Sequence, residues 1–326
     1  MGGDRGPEVV VPAALATLER DDSVSLTLVG LADVLERAKR EAGDRYDSRI
    51  AFKSATEVVS MDEAPADALR RKKDSSLRVA IELVKGGEAD ACVSSGNTGA
   101  LTAMSHFVLK TVGPVERAPI MSSIPARNGG HTHILDLGAN TKATALQLAQ
   151  FATMGTIVAR DVFGIATSRV GLLNIGEEDT KGHELIQEAH ELIRATAGLN
   201  YLGFVEGNHI FDENVDVVVT DGFTGNVALK AMEGLAKLIV EQLKTEFSRD
   251  LRSKLSGLLA RPVLRRVGDK LDPRRYNGAC MVGLTAVVVK SHGSADSVAF
   301  AQAIHTAAIA MRRGLPAAIA NALAKA

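Results

Sequence analysis

The chain has 326 residues, with 38 Lys and Arg against 39 Asp and Glu, 46% hydrophobic residues and a formal net charge of −1. That length permits a sizeable core, as one large α/β unit or as two domains, and the composition excludes a disordered or collagen-like chain. Balanced charge, 4% aromatic residues and no Trp argue against a nucleic-acid binder, which needs a positive field and stacking platforms. Cys92 and Cys280 are too far apart for a CxxC pair, which argues against a disulfide framework and a thiolate zinc site, so both read as small core residues. The longest uncharged run, between Lys142 and Arg160, contains Gln147 and Gln150 and falls short of the ~18 apolar residues of a membrane span. The opening MGGDRGPEVVVP has neither the basic nor the apolar region of a signal peptide, so a cytoplasmic location is expected.

In chain order, β-branched runs alternate with helix-period segments, the pattern of a parallel sheet whose crossovers are helices. A strand is expected at 26–29, a helix at 76–85, a strand at 91–93 and a helix at 99–110. A strand at 134–137 precedes a helix at 145–161, and a strand at 170–174 precedes a helix at 181–194. Strands at 202–205 and 215–219 lead to a helix at 226–244, and a strand at 282–289 leads to the last helix at 295–312. The expected fold class is α/β with a mostly parallel sheet, filling residues 1–326 as one large domain or two interwoven lobes. No repeat, low-complexity tract or linker marks a domain cut. Residues 248–275 stand apart, with nine basic against three acidic residues and Leu251, Leu255, Leu258, Leu259 and Val263 between them. They read as a basic amphipathic helix pair broken at Pro262, because proline lacks the N–H and clashes with the preceding turn. Such a segment suits either a solvated face or an acidic partner or membrane surface.

Four strand ends run into similar loops: SSGNTGA at Ser94, LGANT at Leu137, NIGEEDTKG at Asn174 and TDGFTGN at Thr220. Ligands of an open parallel sheet bind outside the carboxyl ends of its strands, where helix N-termini present unpaired N–H groups, so the four loops are expected to converge on one site. Gly allows close backbone approach, and Ser, Thr and Asn supply donors and helix caps, a combination suited to an oxyanion such as phosphate. Familiar signatures are missing: no GxGxxG, no GxxxxGK[ST] and no GxSxG. HELIQ at His183 fails as a zinc-protease helix because Gln187 stands where the second His belongs. His131 and His133, beside Asn128, Gly129 and Gly130, read as part of a solvated hairpin tip rather than as metal ligands. No cofactor or metal is called for. Acyl transfer to phosphate fits what remains, since phosphate is already an anionic nucleophile and a thiolate with a pKa near ~8.5 is a tolerable leaving group.

Longer blocks carry a resemblance. MGGDRGP, SMDEAPADALRRKKDSSLRVAIELVKGGEADACVSSGNTGA, LLNIGEEDTKG, GFVEG, DGFTGNVALK, YNGAC and VVVKSHGSAD resemble the bacterial phosphate acyltransferase (PlsX) family over almost the whole chain. The resemblance implies a three-layer α/β/α fold like that of isocitrate and isopropylmalate dehydrogenases, related to phosphotransacetylases, and a homodimer. It also implies conversion of acyl-(acyl carrier protein) and inorganic phosphate to acyl phosphate for phospholipid synthesis, ahead of a glycerol-3-phosphate acyltransferase. Two departures stand out. The family has a short strand ending Asp-Ala-Met-Gly-Gly-Asp, and Met1 lies inside that motif, so the first strand is expected to be missing. After Asn140 the family continues Val-Asp-Cys, whereas this chain has Thr141, Lys142 and Ala143.

Within this frame the expected catalytic residues are His292, Lys290, Asn97, Asp221 and Asn226. Asp4, Ser94, Thr98, Asn140, Lys181 and Ser291 are expected to bind phosphate or substrate. His292 suits protonation of the leaving thiolate or binding of phosphate, with a carbonyl-paired core histidine as its alternative. Lys181 is placed between neutralising phosphate and pairing with Glu177 or Glu178, and Asp221 between the site and an Asx cap. The rival functions are a phosphotransacetylase acting on acyl-CoA and a non-catalytic scaffold recruiting lipid-synthesis enzymes through the basic segment, for which peripheral contact with anionic membrane is also an expectation.

Overall fold

The computed structural model describes residues 1–46, 48–127 and 129–324, so Asn128, assigned above to a hairpin tip, lies outside the described residues. The N-terminal part contains α1 (Pro7–Arg20), β1 (Leu26–Gly30), α2 (Ala32–Ala42), β2 (Ile50–Ser54), α3 (Pro65–Arg71), α4 (Ser76–Lys85), β3 (Ala91–Ser94) and α5 (Thr98–Leu109). Next come β4 (Ile120–Pro125), β5 (His131–Leu135), α6 (Ala145–Asp161), β6 (Arg169–Asn174), α7 (Glu184–Ala195), β7 (Asn200–Glu206) and β8 (Val217–Val219). The chain then runs through α8 (Gly222–Ser248), α9 (Leu251–Leu271), β9 (Ala279–Met281), β10 (Val287–Lys290), α10 (Ser297–Arg312) and α11 (Leu315–Leu323).

Two sheets form: β1 pairs with β2, and an eight-stranded sheet has the order β3-β10-β9-β4-β5-β8-β6-β7. The large sheet is a central layer with a buried cluster on each face. Leu148, Phe151 and Met154 of α6 belong to one, and Leu101 and Met104 of α5 to the other. β8, Val-Val-Val, is fully buried and sits between parallel neighbours β5 and β6, as expected for a strand covered on both faces.

The central strands depart from the parallel expectation. β10 is antiparallel to β9, β9 to β4, and β4 to β5, whereas β3 runs parallel to β10, and β5, β8, β6 and β7 run parallel to one another. Three reversals therefore separate the two parallel blocks, and their carboxyl ends lie at opposite ends of the sheet. Of the apolar run expected as one strand over 282–289, only Val287–Val289 is strand, in β10; 282–286 form a turn, and the preceding strand β9 (Ala279–Met281) lies outside the expected range. Gly283 takes φ +89°, which ends the first strand.

The basic segment also differs from expectation. It is one continuous helix, α9, passing through Pro262, and its helical partner is α8. The carbonyl that Pro262 leaves unpaired belongs to Leu258, which is 62% exposed, so water can satisfy it.

Between the sheets, β1 and β3 face each other across a cavity of about 460 Å³, lined among others by Leu26, Leu28, Leu77, Ala91, Val93 and Phe300. Neither strand has a partner on that side. Met1 packs near Gly30 at the end of β1, and Gly2 lies against Gly96 just past β3. A Cβ on Gly2 would come within 2.4 Å of the Gly96 Cα, so position 2 requires glycine.

Candidate active site

The first loop cluster sits at the carboxyl ends of β3 and β10. The loops are tied together by the Ser291 N–H, which donates to the Ser94 carbonyl at 2.8 Å, and by the Asp4 N–H, which donates to the Gly293 carbonyl at 2.9 Å. The Ser95 hydroxyl donates to the Gly2 carbonyl at 2.8 Å, so Gly2–Asp4, Ser94–Thr98 and Lys290–Ser294 form one surface. Asn97 caps α5: its Oδ1 accepts from the Ala100 N–H, and its Nδ2 donates to the carbonyls of Ser60, Met61 and Glu63. With 7% exposure and its amide occupied at both ends, Asn97 orders the loop and leaves the N-terminal turn of α5 facing the site with Thr98.

Lys290 ends β10 with its Nζ directed at the carbonyls of Ser95 and Ser291. Burial, then the charge of Lys230, pushes its ammonium down to about 8, opposed by Asp4. Ser291 is fully buried, and its Oγ accepts from Asn277 Nδ2. Asn277 Oδ1 accepts from the His292 N–H at 3.0 Å, so this one side chain fixes both residues. The imidazole of His292 is partly exposed and faces α8: Nε2 lies 3.4 Å from Glu233 Oε1, and Glu233 Oε2 holds Lys230 Nζ at 2.8 Å. The hydrogen bond from His292, and then the one from Lys230, pulls the Glu233 carboxyl down to about 2.

The second cluster gathers at the carboxyl ends of β5, β6 and β8. Asp136, fully buried, accepts from the N–H groups of Ile120, Gly138, Ala139 and Asn140 and from Asn140 Nδ2. Burial pushes its carboxyl up, while those donors pull it back. Asn140 Nδ2 also donates to the Ala118 carbonyl, so its amide N–H groups hold the loop. Asp221 is the N-cap of α8, accepting from the N–H groups of Phe223 and Thr224 and from the Thr224 hydroxyl. Gly225 packs so closely that a Cβ there would meet the Asp136 carbonyl oxygen at 1.9 Å. Asn226 is exposed, with its amide beside Gly138 and no hydrogen-bond partner among the described residues. Lys181, after β6, is exposed and pairs with neither Glu177 nor Glu178; Glu177 pairs instead with His209.

The expected convergence of four loops on one site is therefore corrected. Asp4, Ser94, Asn97, Thr98, Lys290, Ser291 and His292 come together at one end of the sheet. Asn140, Asp221, Asn226 and Lys181 lie at the other, because the reversals at β9 and β4 turn the second block around. α8 connects the two: from its cap at Asp221 to Glu233 is twelve residues, about 18 Å of helix. Glu233, Lys230, Asn277 and Asp136 are the site and loop residues that sequence reading missed. Asn277 sat inside the quoted motif YNGAC and Asp136 immediately before the quoted LGANT, whereas nothing in the spacing of Lys230 and Glu233 points to His292.

His133, read with His131 from sequence, is buried on β5, stacked on Phe163 and bonded to Ser123 Oγ, and burial pushes its imidazole down to about 4. Both cysteines are buried, with thiols pushed up to about 12 by burial.

The model of a family described as fatty acid synthesis protein matches residues 1–318. The phosphate acyltransferase of Alkalilimnicola ehrlichii is 52% identical over 316 residues, covering 97% of this chain and 92% of that protein. Among solved structures, a phosphotransacetylase from Streptococcus pyogenes superposes with a TM-score of 0.63 at 18% identity, over 94% of this chain and 91% of that one. A putative 4-hydroxythreonine-4-phosphate dehydrogenase from Salmonella typhimurium gives 0.51 at 14% identity, over 95% and 97%. These two likenesses concern the fold, an α/β sandwich shared by transacylases and dehydrogenases. Identity above half across nearly all of both chains carries the assignment: the chain belongs to the bacterial phosphate acyltransferase family, enzymes of acyl transfer in fatty acid and phospholipid synthesis.

Proposed function

We propose that this chain transfers the acyl group of an acyl-(acyl carrier protein) to inorganic phosphate, giving acyl phosphate and free carrier protein. The observation that carries this reading is the pairing of a buried Lys290 with a partly exposed His292 beside the N-terminal turn of α5, a cluster suited to hold an anionic nucleophile. Both thiols lie in the core, and the Oγ atoms of Ser94, Ser95 and Ser291 are engaged within the loops. Phosphate, already an anion, is the nucleophile in this reading.

Lys290, Lys230 and the unpaired N–H groups at the start of α5 supply the positive field that holds a dianion. A phosphate oxygen attacks the thioester carbonyl carbon; the C–O bond forms as the carbonyl electron pair moves onto oxygen. Collapse of that oxyanion breaks the C–S bond; the thiolate leaves with the bonding pair and ends with the proton that the hydrogen phosphate gives up, while the His292 Nε2–H donates a hydrogen bond to the departing sulfur. Holding the two reactants together and offering donors to the oxyanion, each worth roughly 3–4 kcal/mol, is the protein's part. Asn97 and Asn277 act by fixing the loops, while Asn226 and Lys181, free at the opposite end of the sheet, suit contacts with the carrier.

The partners follow from the α8–α9 hairpin. Leu235, Leu238, Ile239 and Leu243 of α8 are exposed, as are Leu251, Leu255, Leu259, Val263 and Val267, which recur every four residues along α9. Apolar stripes flanked by basic residues support docking of an acidic carrier, a second copy in a homodimer and peripheral contact with anionic lipid. Among the described residues no helix is long and apolar enough to cross a membrane.

The test is acyl phosphate formation at equal phosphate from acyl-ACP, from acyl-CoA and without thioester. Product from acyl-ACP is the expected result. Product from acyl-CoA alone makes the chain a CoA-dependent transacylase, and no product from either makes it a scaffold.

A further inference from the structure

We propose that Glu233 is the positioning residue of this site, holding the Nε2–H edge of His292 toward the space where the acyl donor and phosphate meet. The inference rests on the reaction proposed above and names a residue that it did not include.

The argument starts at the other ring nitrogen. The backbone N–H of Ser294 points at His292 Nδ1 at 3.2 Å, and the Ser294 hydroxyl lies 2.8 Å from the same atom. A backbone N–H can only donate, so Nδ1 presents its lone pair and the neutral ring carries its proton on Nε2. Nε2 faces the carboxylate of Glu233 at 3.4 Å. That separation is longer than a tight N–H···O bond, so the carboxylate aims the N–H without committing it, and an incoming thioester sulfur can take its place.

Glu233 is itself held. Lys230, one turn earlier on the same helix face, bonds its second oxygen at 2.8 Å, while Leu229 and Met232 pack this part of α8 on the core. With its carboxyl pulled down to about 2, Glu233 is ionised throughout the working range. The charged groups around the ring are Glu233 and Lys230 from α8, Lys290 from β10 and Asp4 from the N-terminal segment. Glu233 contributes the one side-chain oxygen paired with Nε2. The backbone of His292 is fixed separately by Asn277, so loss of Glu233 frees the ring while the loop keeps its course.

The experiment compares Glu233→Ala and Glu233→Asp with the wild-type chain. The readouts are kcat, KM for phosphate, and the nitrogen-15 signals of the His292 ring, assigned with His292→Gln. Glu233→Ala is expected to lower kcat by about tenfold or more with KM for phosphate within about twofold. Its Nε2 signal should move as the carboxylate is lost, while the Nδ1 signal, set by Ser294, stays in place. Glu233→Asp should recover part of the rate. A folded Glu233→Ala whose ring pattern is unchanged overturns the positioning role whatever reaction the site performs, and so does one that raises KM for phosphate with kcat intact. Because the ring signals need no turnover, a wild-type chain that makes no acyl phosphate overturns the reaction and leaves the ring measurement to decide the role of Glu233.

Discussion

The two ends of the central sheet carry loops of almost the same composition, yet they hold their polar groups in opposite ways. At the β5–β8 end, Asp136 accepts five hydrogen bonds from its surroundings and Asp221 caps α8, so the two carboxylates face the chain itself. At the β3–β10 end the amides do the holding, Asn97 for one loop and Asn277 for the other, and the titratable groups Lys290 and His292 are left to face the site. Gly, Asn, Ser and Thr after a strand announce a tightly built loop. Which end carries chemistry depends on which donors remain after the loop is built.

The comparison breaks most severely at Asp136. Asp136→Ala strands the buried N–H of Ile120 and the half-buried N–H groups of Ala139 and Asn140 at once, and an unsatisfied buried donor costs about 1–3 kcal/mol. Chemical denaturation should show a loss above about 3 kcal/mol. A loss below about 1 kcal/mol would remove the loop-building role assigned to that end.

At the β3–β10 end the same type of change should act on rate. His292→Ala and Lys290→Met are each expected to lower kcat more than tenfold while the melting temperature barely moves; near-wild-type kcat in either folded variant returns that residue to a structural role. pH separates the two roles further. The folded pKa of Lys290, about 8, lies below the ordinary 10.5, so between these values the unfolded chain binds more protons. Its contribution to stability is therefore complete above 10.5 and is lost as pH falls through about 8, whereas activity that needs the ammonium falls as pH rises past about 8. Lys290→Met should abolish the stability slope, and Lys290→Arg should flatten the alkaline limb of kcat.

Much of this was legible from residues. The helices at 76–85 and 145–161 were read to their observed ends because strong caps, Ser75 and the Thr144–Gln147 capping box, coincide with a change of period. α1 escaped because three consecutive valines and Pro12 argue against helix, yet Ala13, Ala14 and Leu18 bury against neighbouring elements and packing overrides propensity. β9, three residues long, escaped the sequence reading, and the apolar run after it was read as one strand because it hides the turn at 282–286 and with it a reversal of direction. That same reversal is what divides the expected site in two. No local pattern reports strand direction, so the fold class could be read and the division could not. Glu233 was hidden for a related reason: it meets His292 through the path of α8, a tertiary fact.

The cavity between β1 and β3 sharpens the comparison at the site end, because Gly2–Asp4 emerge from its mouth. A segment joined ahead of Met1 would enter at the carboxyl ends of both strands and so run parallel to them, pairing with two open edges. Adding an in-frame β-prone segment of about six residues should raise the melting temperature by several degrees and increase activity. Equal melting of the extended and given chains would show that the cavity is no strand site.

The smallest effect is expected away from both ends, on α9. Its basic residues are exposed and its Leu and Val stripe is open to solvent, so they leave the sheet and the chemistry untouched and act on encounter with a partner. Reversing Arg252, Lys254, Arg265 and Arg266 to Glu changes the local charge by eight units in a chain of net charge −1. KM for acyl-ACP should rise severalfold and liposome co-sedimentation should weaken, with kcat at saturating substrate nearly kept. Rising ionic strength should reproduce the effect in the unaltered chain, because exposed charges are screened beyond about 8 Å at physiological salt. A fall in kcat in place of a rise in KM would mean that α9 acts on the site through α8. Unchanged KM together with unchanged co-sedimentation would make α9 a solvated face and move the search for the carrier's contact to Arg70, Arg71, Lys72 and Lys73, beside α3.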